Sequence, residues 1–131
     1  MSSDIRTVVS TDQAPAAIGP YSQAITAGGF VFTSGVIPLD PGTGEIVGND
    51  ITGQTQQVMS NLKAVLEAAG SSLNGVVKTT CFLQNLADFA AFNAVYAESF
   101  QSDPPARSTV QVAKLPREVL VEVEAVAIIG K

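Results

Sequence analysis

The chain has 131 residues, 46% of them hydrophobic and 15% charged, with a formal net charge of −5 and an isoelectric point near 4.4. That balance suits one globular domain over residues 1–131 whose core needs no staples, and seven Lys and Arg scattered along an acidic chain form no groove for nucleic acid. Histidine is absent and Cys81 is the single cysteine, which excludes Ser-His-Asp and Cys-His catalysis, a histidine-based zinc site and an intrachain disulfide.

Met1 to Ser10 is polar, without the apolar core or the Arg-rich amphipathic pattern of a targeting segment, and no apolar run approaches the ~20 residues of a membrane helix. A soluble, cytoplasmic protein with no membrane partner is expected. Residues 4–9 read as a short first strand, followed by a Pro- and Ala-rich connection to Pro20. Ser22 to Ala27 and Phe30 to Ser34 form a hairpin across Gly28-Gly29, whose glycines supply the positive φ of a primed turn. Phe30, Phe32 and Ser34 share one face of it.

Asp40-Pro41-Gly42-Thr43-Gly44 is dense turn chemistry before a short apolar run at Ile46 and Val47, and it lacks the Lys-Ser/Thr ending of a phosphate-binding loop. A helix is predicted from Ile51 to Ala69, with Asp50 as N-cap and Gly70 as the left-handed residue that stops it. Val58, Leu62, Val65, Leu66 and Ala69 form its buried stripe, with Gln54, Gln56, Gln57, Asn61 and Lys63 on the solvent side.

Gly75 to Leu83 is a β-branched strand with Cys81 among apolar neighbours, where a thiol serves as a small core residue. Asn85-Leu86-Ala87-Asp88 resembles a capping box that starts a second helix with the stripe Phe89, Phe92, Tyr96 and Phe100. Asn93 sits one residue from that stripe, where an amide facing inward must find a partner.

Pro104-Pro105 ends helical structure and delivers the chain extended into Ala106-Arg107-Ser108-Thr109-Val110. Strands 107–113 and 119–128 read as a hairpin around Leu115-Pro116-Arg117-Glu118. Pairing within it would set Arg107 opposite position 124 to 126, with Glu122 about 2 to 4 residues along, roughly 7 to 13 Å. The long arginine side chain and one water would span that gap around a small acid; otherwise a neighbouring subunit supplies one of the two groups. The order of elements predicts an α+β sandwich, two helices on one face of a mixed, largely antiparallel sheet.

Charges on such apolar strands need a reason. A guanidinium holds a carboxylate through two parallel hydrogen bonds, and a nearby glutamate acts on a water or a proton. The alternative is a solvated hairpin face with charges at its rim. Glu122 and Glu124 share one strand face, roughly 7 Å apart. Two helices cover only one face of the sheet, while Val121, Val123, Ala125 and Ala127 alternate with Glu122, Glu124, Val126 and Ile128. A ring of subunits, sheet against sheet, would cover the other.

Four blocks, Ala16-Ala17-Ile18-Gly19-Pro20-Tyr21-Ser22-Gln23-Ala24, Phe32-Thr33-Ser34-Gly35-Val36-Ile37-Pro38, Val77-Lys78-Thr79-Thr80 and Pro105-Ala106-Arg107-Ser108-Thr109-Val110, resemble the RidA (YjgF) family of reactive-intermediate imine deaminases. The resemblance runs from about Ile5 to Ile128. It implies a chorismate-mutase-like fold, a homotrimer around a central barrel with clefts between subunits, and hydrolysis of 2-iminobutanoate and 2-iminopropanoate, released by PLP-dependent enzymes, to 2-oxo acids and ammonia. No cofactor or metal is implied.

By the same resemblance Arg107 holds the substrate carboxylate, Glu122 positions and activates the water, and Glu124 is a structural or interface charge. Tyr21, Ser34, Gly35 and Asn93 line the pocket, and Thr109 contributes backbone polar groups. Thr109 stands where many members carry cysteine and Val36 where glutamine is frequent; the segment before Pro105 is shorter than usual, with Pro104 in place of an aromatic. The competing functions are a non-catalytic small-acid-binding regulator or stress holdase on the same trimeric fold, and a ribonuclease, which the acidic charge and lack of histidine disfavour.

Overall fold

The computed structural model describes residues 5–130. Six strands, β1 (Thr7–Val9), β2 (Ala24–Ala27), β3 (Phe30–Thr33), β4 (Val76–Leu83), β5 (Ala106–Gln111) and β6 (Val121–Ile128), form one sheet in the order β1-β2-β3-β6-β4-β5. Helices α1 (Ile51–Ala68) and α2 (Phe89–Ser99) pack against each other, with α1 lying on β6. The β4-β5 pair is parallel and the others antiparallel, so the sheet is mixed, as expected. Of the first predicted strand, residues 7–9 pair; Asp4 lies outside the described residues.

Local chemistry sets the element ends. Gly28 and Gly29 turn the β2-β3 hairpin at φ 60° and 86°, conformations that cost residues with a Cβ. Asp50 is extended and accepts a hydrogen bond from the Gly53 amide at 2.9 Å, capping α1. At the other end Gly70, φ 83°, donates to the Glu67 carbonyl while Ser71 donates to that of Leu66, closing the two bonds of a Schellman stop.

Val58, Leu62, Val65 and Leu66 are buried against Val31, Val121 and Val123 of the sheet; truncating one of these leucines to Ala costs roughly 2–5 kcal/mol. Two residues placed on the solvent side of α1 are instead buried, Gln54 and Asn61. Gln54 donates to the Gly48 carbonyl and accepts from the Leu120 amide, and Asn61 donates to the carbonyls of Ile37 and Leu39. Their amides close backbone groups of the loops folded over that face, which lets polar side chains sit in the interior.

The last two strands do not form the expected hairpin. β4 lies between them, with Arg107 aligned with Thr79 of β4, and Thr79 aligned on its other side with Ala125. The unit β4-α2-β5 is a parallel crossover, so the chain must travel back past β4 to build β6. It does so through a 3₁₀ turn at Pro116–Glu118, where Arg117 and Glu118 take φ of 55° and 57° and the Arg117 guanidinium donates to the Gly44 carbonyl at 2.6 Å. Likewise Asn85 caps a 3₁₀ turn at Leu86–Asp88, accepting from the Ala87 amide, and α2 follows it.

Both helices lie on the face that carries Val121, Val123 and Ala125. On the opposite face Val8, Phe30, Phe32 and Ile128 are 57%, 39%, 44% and 37% exposed, and no segment of the described chain covers them. No helix among the described residues is long and apolar enough to cross a membrane.

Candidate active site

Arg107 enters from the edge strand β5 and points to the helix side of the sheet, as its contacts with α2 require. One guanidinium NH₂ donates to Asn93 Oδ1 at 2.8 Å. Three rings of the same helix surround the guanidinium carbon: Tyr96 at 4.8 Å, Phe89 at 5.5 Å and Phe92 at 5.8 Å from their centroids. A cation so placed gains from the ring faces while it loses water. No carboxylate of the described residues pairs with it, so a half-buried positive charge keeps its remaining donors for an anion.

Asn93, the amide expected to need an inward partner, finds it in Arg107. The aromatic clamp was read in the sequence only as a helix stripe, although the spacing of Phe89, Phe92 and Tyr96 around Asn93 already put four groups on one side of the helix. Phe89, at 40% exposed, is the least buried of the three rings.

Glu122 lies elsewhere. On β6 it alternates with the buried Val121 and Val123, so its side chain leaves the sheet on the face opposite Arg107. With Thr79 aligned with both Arg107 and Ala125, and Glu122 three residues along β6, the two backbones are about 14 Å apart by strand spacing and rise. This replaces the separation expected from the hairpin. Arg107 and Glu122 of one chain cannot close on one small acid, because the sheet stands between them.

The Glu122 carboxylate rests against Gly35: a Cβ added there would sit 1.7 Å from Oε2. The bridge between Val36 and Val123, with both amide-carbonyl bonds formed, brings this glycine onto β6. Burial first, and then the charge of Glu124 two residues along the same face, raise the Glu122 pKa above the ordinary glutamate value. Its carboxylate makes no hydrogen bond to the described residues.

Tyr21, Ser34 and Gly35 lie together away from Arg107, and of the three Gly35 is the one against the Glu122 carboxylate. They line a cavity of about 260 Å³ with Ala14, Val36 and Val65. The Tyr21 hydroxyl accepts from the Ile18 amide at 3.2 Å, and the Ser34 hydroxyl donates to the Ser22 carbonyl. Gln23 fastens the segment above them, accepting from the Thr11 amide and donating to the carbonyls of Thr11 and Pro15. Val36 adds an apolar side chain to the cavity wall.

Thr109 follows Arg107 on the helix side of β5, aligned with Cys81, and its hydroxyl is buried. Since β5 is the sheet edge, alternate backbone groups beside Thr109 point outward. Burial pushes the Cys81 thiol up to about 11. Among the described residues no three His, Cys, Asp or Glu side chains come together in a way that could hold a metal ion. The seven singled-out residues thus fall into two groups: Arg107, Asn93 and Thr109 at the sheet edge, and Tyr21, Ser34 and Gly35 around the cavity, with Glu122 against Gly35 on the face opposite Arg107.

The family model described as Endoribonuclease L-PSP matches residues 11–129. A RutC family protein of Pyrococcus horikoshii is 56% identical over 123 residues, 94% of this chain and 98% of its own. The 2-iminobutanoate/2-iminopropanoate deaminase of Mus musculus is 47% identical over 130 residues, 99% of this chain and 96% of its own. The crystal structure of RidA from an Antarctic Psychrobacter superposes with a TM-score of 0.90 at 45% identity, covering 94% of this chain and 99% of that one.

Proposed function

We propose, since the chain belongs to the Endoribonuclease L-PSP family, the RidA group that its sequence resembles, that it hydrolyses small reactive 2-imino acids, such as 2-iminobutanoate and 2-iminopropanoate, to 2-oxo acids and ammonia. The observation that carries this is the Arg107 guanidinium, clamped by three rings and one amide and paired with no carboxylate among the described residues. A mouse relative bears the name of this activity.

Arg107 takes the substrate carboxylate and fixes the imine carbon. Glu122 removes a proton from a water as its oxygen bonds to that carbon, and the proton goes to the nitrogen. Glu122 then takes the carbinolamine hydroxyl proton and passes it to the nitrogen as the C–N bond breaks, releasing ammonia and leaving the carbonyl. A carboxylate with a raised pKa suits this exchange, since a base poised nearer the working pH both accepts and returns the proton. Placement rather than strong activation supplies the rate.

The two groups act on one substrate when Arg107 of one subunit faces Glu122 of another. Trimeric association would bring these edges together and cover Val8, Phe30, Phe32 and Ile128, an apolar face of the kind that marks an interface. A chain with a net charge of −5 and no histidine offers an RNA backbone neither cations in number nor the usual acid-base pair.

The test couples a PLP-dependent threonine dehydratase to the protein and follows 2-oxobutanoate while semicarbazide competes for the imine. Wild type should accelerate product formation and Arg107→Ala should not; equal acceleration by both defeats the proposal. Mixing inactive Arg107→Ala with inactive Glu122→Gln, under conditions that allow subunits to exchange, should restore part of the activity. No recovery in verified mixed oligomers would refute the shared site.

A further inference from the structure

Tyr96 does more than supply a ring. Of the three rings around Arg107 its centroid is nearest, at 4.8 Å, and its hydroxyl lies 2.8 Å from Thr79 Oγ1. Both residues are buried, Tyr96 at 6% and Thr79 at 0% exposed. Thr79 is also the residue aligned with Arg107 across the β4-β5 pair. The contacts therefore close a circuit from Arg107 through the strand pairing to Thr79, through one hydrogen bond to Tyr96, and back through the ring face to the guanidinium.

We propose that Tyr96, pinned by Thr79, is a positioning residue that fixes the plane of the Arg107 guanidinium and so sets the affinity for the carboxylate. Two-point recognition needs the guanidinium fork in the plane of the carboxylate. The Asn93 bond holds one nitrogen, and a single bond leaves the fork free to swing about it. The ring face removes that freedom only if the ring itself is fixed, which is what the hydroxyl bond does. Nearby, the Cys81 thiol donates to Thr79 Oγ1 at 3.8 Å, making Cys81, Thr79 and Tyr96 one buried polar thread. Burial raises the Tyr96 pKa above its ordinary value, so the phenol stays neutral and leaves the charge of Arg107 for the ligand.

The inference rests on Arg107 as the holder of the carboxylate, and its test uses binding as well as turnover. The dissociation constant of 2-oxobutanoate, a stable carboxylate, is measured by titration calorimetry with the full chain, alongside KM and kcat for imine hydrolysis. Tyr96→Phe keeps the ring and removes the pin, and Thr79→Val removes it from the other side. Each should weaken binding and raise KM by about fivefold, the scale of one hydrogen bond, with kcat nearly unchanged and no further loss when combined. Thr79→Ser, which restores the hydroxyl, should bind as wild type does.

Wild-type affinity in folded Tyr96→Phe overturns the proposal, and so does a kcat loss as large as the KM rise, which would signal general distortion. Wild type that binds 2-oxobutanoate through Arg107 but hydrolyses no imine defeats the deaminase proposal while the binding comparison still decides this one.

Discussion

Gly35→Ala separates stability from catalysis. The new Cβ would lie 1.7 Å from Glu122 Oε2, 2.6 Å from its Cδ and 3.0 Å from its Cγ, whereas heavy atoms in ordinary contact stand about 3.5 Å apart. The carboxylate must retreat by nearly 2 Å. Gly35 is not among the glycines with positive φ, so alanine adopts its backbone without strain and gains about 0.4–1 kcal/mol from a less flexible unfolded chain. Moving a flexible side chain out of its preferred rotamer costs about 0.5–1.5 kcal/mol. Stability should therefore change by less than about 1 kcal/mol. A reacting group misplaced by more than 1 Å loses on the order of 100-fold in rate. The assay is the threonine dehydratase coupling for kcat, with thermal unfolding by circular dichroism at the same protein concentration. Wild-type kcat in a folded Gly35→Ala protein would refute the argument that Gly35 makes room for a working carboxylate; a large loss of stability would show that Glu122 cannot yield.

Three further outcomes are expected. Glu122→Gln should lower kcat by about 10²–10⁴-fold, the usual worth of a general base, and wild-type activity should fall on acidification through a pKa above the ordinary glutamate value, as the base takes up its proton. Because the folded state raises that pKa, folded protein binds more protons than unfolded as pH passes between the two values, and stability falls as pH rises through them. Glu122→Gln should then melt higher than wild type at neutral pH, with the gap closing below the ordinary glutamate range; a constant gap contradicts it. Glu118→Gly, at an exposed residue with φ 57°, relieves a left-handed conformation worth about 1–2 kcal/mol against about 0.5–1 kcal/mol of lost chain stiffness, so a net gain of up to about 1.5 kcal/mol should appear in urea unfolding. Cys81, fully buried and pushed up to about 11, should resist a thiol reagent in native protein and react once urea unfolds it; rapid native labelling would contradict its burial.

Helix ends and the glycine hairpin were legible because their signals are local: an Asp before an apolar stripe, a Gly after it, two Gly between strands. The placement of β5 and β6 was not, because the order of strands in a sheet is a property of crossovers. A chain segment such as Leu115–Glu118 looks the same whether it joins neighbours or passes over an intervening strand. That one error moved Glu122 from beside Arg107 to the far face. Gln54 and Asn61 were misplaced for a related reason, since their partners Gly48, Leu120, Ile37 and Leu39 belong to loops with no periodicity. Tyr21, Ser34, Gly35, Arg107 and Thr109 were singled out because they lie in the motif blocks, whereas Asn93 and Glu122 lie outside them. Their division into two groups required the sheet, and the pinning of Tyr96 by Thr79 required two elements to meet.

Of the six strands described, the last in chain order is also the one that joins the sheet. β6 bonds to β3 on one side and β4 on the other, so until it emerges the chain holds a three-stranded meander and a parallel pair with unsatisfied edges facing each other. Closure of this sheet must therefore wait on β6, and ribosome-bound chains halted before Val121 should be open to proteolysis and prone to edge pairing. Long-range closure of this kind slows folding relative to a helical chain of the same size. The half-built sheet would expose both its future seam and the valines of its core, so the cell meets its most aggregation-prone form during synthesis.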